Sequence, residues 1–291
     1  MLLSLNLYHP IPMYSFKKHL PSLAVLLLTS SVVPTASAIN LIVNGDFETT
    51  TNGGNKQIGT GVGYNAAEFT QATGWYTTDR APTAGDPVVR PSFNLLFAEG
   101  AGVSTGGANR FAGSVTFWGA ASPAIPGNVA TAGNGGAAVF NGKSPTGGNY
   151  VAIDGGFDVG AINQQMSGLT VGQDYQLSFS WAVAQQFGFE APAGLTEKFS
   201  VSLGGQTIDT PIISYINHGF QDWITQTMIF TPTVTNPILS FLSVGTPTGQ
   251  PPFALLDGVS LEAVPEPSSC LLGALALAGL TLRRRRTLEN S

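Results

Sequence analysis

Residues 175–183 read Tyr-Gln-Leu-Ser-Phe-Ser-Trp-Ala-Val, and no other feature constrains the fold of this chain as strongly. Tyr175, Leu177, Phe179, Trp181 and Val183 fall on one side, and Gln176, Ser178, Ser180 and Ala182 on the other. An extended chain separates two such sets, because its side chains alternate between faces; the pattern predicts a half-buried antiparallel strand. The same period returns at residues 199–203 and stops at Gly204-Gly205, a hairpin signal. Further strands are predicted at residues 114–118, 150–153, 161–166, 222–230, 237–244 and 254–263. Residues 41–48 open with a β-prone run that breaks at Asn44-Gly45, and residues 84–149 read as long Gly- and Ala-rich loops with few strands. Outside the two ends there is no helical periodicity of useful length, and no internal repeat. Strands at this spacing predict an all-β chain, an antiparallel β-sandwich of jelly-roll type with roughly eight or nine strands in two sheets. A doubly wound or α/β-hydrolase fold is excluded by the missing helices.

Composition agrees. Only 10% of the 291 residues are charged, while Gly numbers 36 and Pro 19. That is too apolar for general disorder and too rich in turn formers for a helical bundle. The segment 39–264 carries six basic and fifteen acidic residues, a net charge of −9. Such a surface repels phosphate backbones, so no nucleic-acid partner is expected. The single cysteine, Cys270, lies in the C-terminal apolar run, so the segment before it has neither disulfide nor thiol chemistry.

Both ends read as addresses. Lys17 and Lys18 precede an apolar run at residues 20–33, followed by Ala36-Ser37-Ala38. This is the layout of a secretory signal peptide over residues 1–38, a signal helix removed by signal peptidase to leave Ile39 first. The alternative is an uncleaved N-terminal anchor. At the other end, Val264-Pro265-Glu266-Pro267 leads into an apolar stretch at residues 270–282 and then Arg283, Arg284, Arg285 and Arg286. Two prolines keep the first element extended, and the arginines hold their end on the cytoplasmic side of a membrane. The stretch is short for a transmembrane helix, which wants roughly 20 residues.

Residues 264–291 resemble the PEP-CTERM sorting region of Gram-negative bacterial proteins. The resemblance implies recognition and processing by an exosortase, a membrane transpeptidase, and association with exopolysaccharide. A plain C-terminal membrane anchor without processing is the alternative. Residues 39–263 resemble galactose-binding-like jelly rolls, including carbohydrate-binding modules. The matching stretches are residues 41–48 (LIVNGDFE), 148–154, 168–175 and 255–261 (LLDGVSL), with residues 84–147 standing apart as a Gly-rich insertion. The resemblance implies neighbouring first and last strands and a structural calcium between them on Glu48 and Asp257, with Asp46 nearby. Gly258 stands where the family often has a second acid. Otherwise these acids are turn residues and solvated strand ends.

Catalytic signatures are missing, so the chain reads as a non-enzyme. His218 is the only histidine outside the leader and has no G-x-S-x-G or H-E-x-x-H partner. Asp154 and Asp158 flank a Gly-rich turn, where capping is the ordinary role of Asp. Sugar binding wants aromatic faces flanked by polar groups. Trp118 and Trp75, with Arg110 and Asn109 as polar companions, are the leading candidates, and Tyr76, Phe117, Phe187 and Phe189 join them in or near loops. Trp75 also reads as a buried strand residue, and Trp181 and Trp223 as packing. Together these features predict an exported cell-surface or extracellular-matrix protein that binds polysaccharide. The alternatives are a purely structural protein without a ligand site, and a polysaccharide-acting enzyme.

Overall fold

A computed structural model describes residues 39–60, 66–79, 91–98, 103–106, 113–118, 143–265 and 273. The expected signal peptide, and the expected transmembrane segment apart from residue 273, lie outside these residues. Among the described residues no helix is long and apolar enough to cross a membrane.

Fifteen strands and one 3-10 turn make up the described structure. In chain order the strands are β1 (Lys56–Ile58), β2 (Phe69–Thr70), β3 (Trp75–Thr77), β4 (Asn94–Phe97), β5 (Val103–Gly106), β6 (Gly113–Thr116), β7 (Tyr150–Asp154), β8 (Ile162–Gln165), β9 (Tyr175–Gln185), β10 (Leu195–Leu203), β11 (Gln206–Asp209), β12 (Ile213–Tyr215), β13 (Phe220–Phe230), β14 (Ile238–Thr246) and β15 (Pro252–Ala263). One sheet runs β13-β9-β15-β7-β4-β1-β5-β6, with β2 beside β1; the other runs β11-β10-β14-β8-β3, with β12 beside β10. All pairings are antiparallel except β1 with β2 and β1 with β5. The fold is therefore an all-β sandwich with more strands than the eight or nine predicted. The additional strands are two to four residues long, too short to show a period.

The main core lies between the sheets. Leu177, Phe179, Trp181 and Val183 of β9 face Phe199, Val201 and Leu203 of β10 and Phe241 of β14. Phe179, Phe199 and Phe241 meet edge to face at centroid distances of 5.1 to 6.2 Å, a favoured aromatic arrangement. The predicted outer face of β9 is only half exposed. Ala182 and Ala184 are buried in a second apolar cluster with Phe93, Leu95, Phe97, Phe117, Tyr150 and Phe253. The larger sheet is thus covered on both faces over part of its width.

Residues 41–48 do not form a strand. Asn44 and Phe47 take left-handed backbone conformations, at φ 52° and 57°, which break the extended run. The segment still lies antiparallel along β15: the Leu41 N–H donates to the Leu261 carbonyl at 2.8 Å and the Val259 N–H to the Gly45 carbonyl at 2.9 Å.

Candidate functional site

The junction of the first and last segments begins with a bulge. Register along β15 shifts between Asp257 and Ser260, and Gly258 in the middle has φ 61°. A Cβ there would come within 2.9 Å of the Thr146 methyl carbon. Glycine is therefore required where a second acid was expected, by conformation and by space. The bulge leaves Asp257 fully buried. Its Oδ1 accepts the Gly258 N–H at 2.7 Å, and its Oδ2 accepts from the hydroxyls of Ser144 and Thr146.

Glu48 arrives from the other side. Its Oε1 accepts the Asn149 N–H, and its carboxylate lies directly over Gly148, where any Cβ would collide with it. The Asn149 amide donates to the Phe47 carbonyl at 3.0 Å, fixing the turn that carries Glu48. The Asp257 carboxyl is raised to about 6 on balance, with burial the largest cause. The Ser144 and Thr146 hydroxyls and the Gly258 N–H pull it down, and the Glu48 charge pushes it up further. The structure thus brings Glu48 and Asp257 within electrostatic range and adds two hydroxyls. Asp46 is exposed and lines a groove with Asn40, Asn44 and Ser260. Carboxylate and hydroxyl oxygens at one point suit a hard cation such as calcium. Among the described residues no cluster of three or more His, Cys, Asp or Glu side chains is present, so hydroxyl and carbonyl oxygens would complete such a shell.

The expected stacking platforms are placed differently. Trp118 is 8% exposed. Its ring stacks on His218 at 3.6 Å and meets Phe187 at 4.5 Å, and its Nε1 donates to the Phe189 carbonyl. Trp75 is 3% exposed, packs against Phe47 and Phe241, and donates Nε1 to the Val43 and Asn44 carbonyls. Both rings are committed to packing rather than open to a sugar face. Arg110 and Asn109 lie outside the described residues. Of the other aromatic candidates Phe117 is buried and Tyr76 is 40% exposed.

His218 belongs to a clamp. Its N–H donates to Gln185 Oε1 at 2.6 Å, and its Nε2 lies 2.9 Å from Glu190 Oε1. Asn217 donates to Glu190 Oε2 at 2.7 Å; these contacts hold the Glu190 carboxyl below its ordinary value. Asp154 Oδ1 accepts the N–H groups of Gly156 and Phe157 at 2.7 and 3.1 Å, a turn cap. Beside the clamp an open groove is lined by Leu195, Thr196, Ser214, Ile216, Asn217 and Thr246, among others. Nothing in the sequence marked this groove, nor Ser144 and Thr146; loop hydroxyls carry no period or motif.

Two sheets around one core, with the first and last segments joined at an oxygen-lined bulge, define a β-sandwich whose tail leaves beside its start. Residues 263–286 match the PEP-CTERM protein-sorting motif, which marks an exported protein sorted to the cell envelope. No curated protein matches the sequence. Among solved structures the chain is similar to the carbohydrate-binding module TmCBM61 in complex with β-1,4-galactotriose, at 17% identity and TM-score 0.29 over 42% of this chain and 75% of that one. It is similar also to the CBM22-1 xylan-binding domain from Paenibacillus barcinonensis Xyn10C, at 14% identity and TM-score 0.28 over 65% and 94%. A third similar structure is the arabinose-bound MgGH51 α-L-arabinofuranosidase, at 12% identity and TM-score 0.34 over 77% and 26%.

Proposed function

We propose that this chain is a non-enzymatic protein of the cell surface or extracellular matrix, processed by an exosortase and associated with exopolysaccharide, whose sandwich binds glycan. The sorting motif at residues 263–286 is the observation that carries the reading. The leader is removed after Ala38 by signal peptidase. Pro265-Glu266-Pro267 is the recognition element, and Arg283 to Arg286 retain the tail in the membrane until it is processed. The open groove beside the His218 clamp supports a saccharide contact, since it combines the Thr196, Ser214 and Thr246 hydroxyls with the apolar flank of Ile216. A structural calcium at Glu48 and Asp257, with Ser144 and Thr146 contributing oxygens, is part of the same reading.

Replacing Pro265-Glu266-Pro267 with alanines tests the sorting step. In a host with the cognate exosortase the variant is expected to lose its leader, keep its tail and remain membrane-bound. Release and trimming like the wild type would overturn the reading. A glycan array on the exported protein separates the binding reading from the purely structural one. Signal on a defined sugar class, lost in Ser214→Ala/Thr246→Ala, is expected for binding; a silent array favours a structural role.

A further inference from the structure

The two loops at the end of the sandwich where β15 leaves are tied to each other and to the departing chain. The Leu169 N–H donates to the Thr235 carbonyl at 2.9 Å, and the Gly172 N–H to the Pro232 carbonyl at 3.1 Å. The Val264 N–H donates to the Asp174 carbonyl at 2.9 Å, and the Gln173 amide to the Val264 carbonyl at 2.8 Å. Residues 166–173 and 231–238 contain no charged side chain. This pole nevertheless exposes Ile39 (77%), Val171 (54%), Val234 (50%) and Ile238 (46%). Ile39 belongs here because Leu41, two residues on, is bonded to Leu261. Branched apolar side chains gathered beside two loops without charge mark a contact surface.

Chain length says what covers it. Five residues, 265–269, separate Val264 from the apolar run at 270–282. Fully extended, they reach about 17 Å. A tail held in a bilayer therefore keeps this pole, where the chain leaves the body, within that reach of the lipid headgroups. We propose that the pole bearing Ile39, Val171, Val234 and Ile238 is a lipid-docking surface that rests on the bilayer interface while the tail is retained in the membrane. The inference rests on the sorting reading above and adds an orientation for the body. Among the described residues the two loops and the departing strand end offer the acids Asp174 and Glu262 and no base, so apolar insertion rather than attraction to anionic headgroups drives the contact.

The test uses the leaderless chain, residues 39–291, with Cys270→Ser and one new cysteine bearing an environment-sensitive nitrobenzoxadiazole dye. The chain is reconstituted into zwitterionic phosphatidylcholine vesicles. Val171→Cys reports the docking pole. Ala193→Cys, in the exposed loop at the far end of β10, is the aqueous reference. Flotation reads tail insertion; dye emission, with quenching by doxyl lipid against iodide, reads docking. The chain is expected to float, with the dye at 171 blue-shifted and quenched by lipid and the dye at 193 quenched by iodide. Adding Val234→Asp and Ile238→Asp should lower the lipid-shielded fraction at 171 about tenfold. A chain that floats with both dyes equally wet overturns the docking surface and leaves the sorting reading standing. A chain that does not float overturns both. Shielding at 171 that is already complete without lipid assigns the pole to the chain's own tail, and shielding that needs added exosortase assigns it to that enzyme; either result overturns the lipid surface.

Discussion

Asp154 and Glu197 are acids placed inside a sandwich, and burial governs both. Asp154 is raised from its ordinary value to about 7, and Glu197 is raised well above its own, although the Ser243 hydroxyl and the Lys198 N–H favour its charged form. Gly155 and Gly245 flank Glu197 so closely that a Cβ on either would lie 2.4 Å from Oε2. The native state keeps the Asp154 proton where the unfolded chain has lost it, so unfolding releases a proton between pH about 4 and about 7. Stability is therefore expected to fall as pH rises through that window, by on the order of 4 kcal/mol from this group. Asp154→Asn keeps the acceptor for Gly156 and Phe157 and should flatten the slope; urea titrations from pH 4 to 8 check it. Gly258→Ala should cost about 1–2 kcal/mol from the left-handed backbone alone, read as a lower denaturation midpoint. The calcium proposed at Glu48 and Asp257 predicts that EDTA lowers the melting temperature of the wild type and leaves Asp257→Asn unmoved, since an ion that binds only the folded state stabilises it. Glu48 and Asp257 were paired in the sequence only through the resemblance to galactose-binding-like jelly rolls, which sets the first and last segments side by side. Ser144 and Thr146 were not legible, being ordinary hydroxyls at the end of a Gly-rich stretch. Trp118 and Trp75 misled for a related reason: composition does not tell an open indole face from one covered by His218 or Phe47.

Strand length decided what could be read at the next scale. β9, β10, β13, β14 and β15 each span nine or more residues, and their alternation or apolar runs gave their positions within a few residues. β1 to β6 are two to four residues long, shorter than two periods of a pleated strand, and sequence left most of them as loop. The second apolar cluster was hidden too, because Ala182 reads equally well as the small outer residue of a wet strand. The two ends of β9 therefore differ. Gln176→Lys, on the exposed part of the outer face, should change stability by no more than about 0.5 kcal/mol. Ala182→Lys must bury its charge against the second cluster and is expected to cost more than about 3 kcal/mol. Guanidinium unfolding of the two variants compares them directly.

For the whole molecule, the C-terminal sorting motif and the sandwich class came from sequence, while the meeting of the first and last described segments of the body came from structure. The Asn40 side chain accepts the Leu261 N–H at 3.0 Å, and the Leu41 N–H donates to the Leu261 carbonyl, so the body is entered and left at one point. That adjacency has a mechanical meaning. Tension between residue 39 and residue 264 pulls the antiparallel pair apart from its open end, breaking one hydrogen bond at a time. Tension between residue 264 and residue 186, at the opposite end of β9, loads β15 along its length against β9 and must shear many bonds together. Single-molecule pulling is expected to give the lower rupture force along the first axis. A matrix that tugs on such a bead by both ends opens it easily, whereas one that grips the far end and leaves the tail to hold meets the strong direction of the sheet.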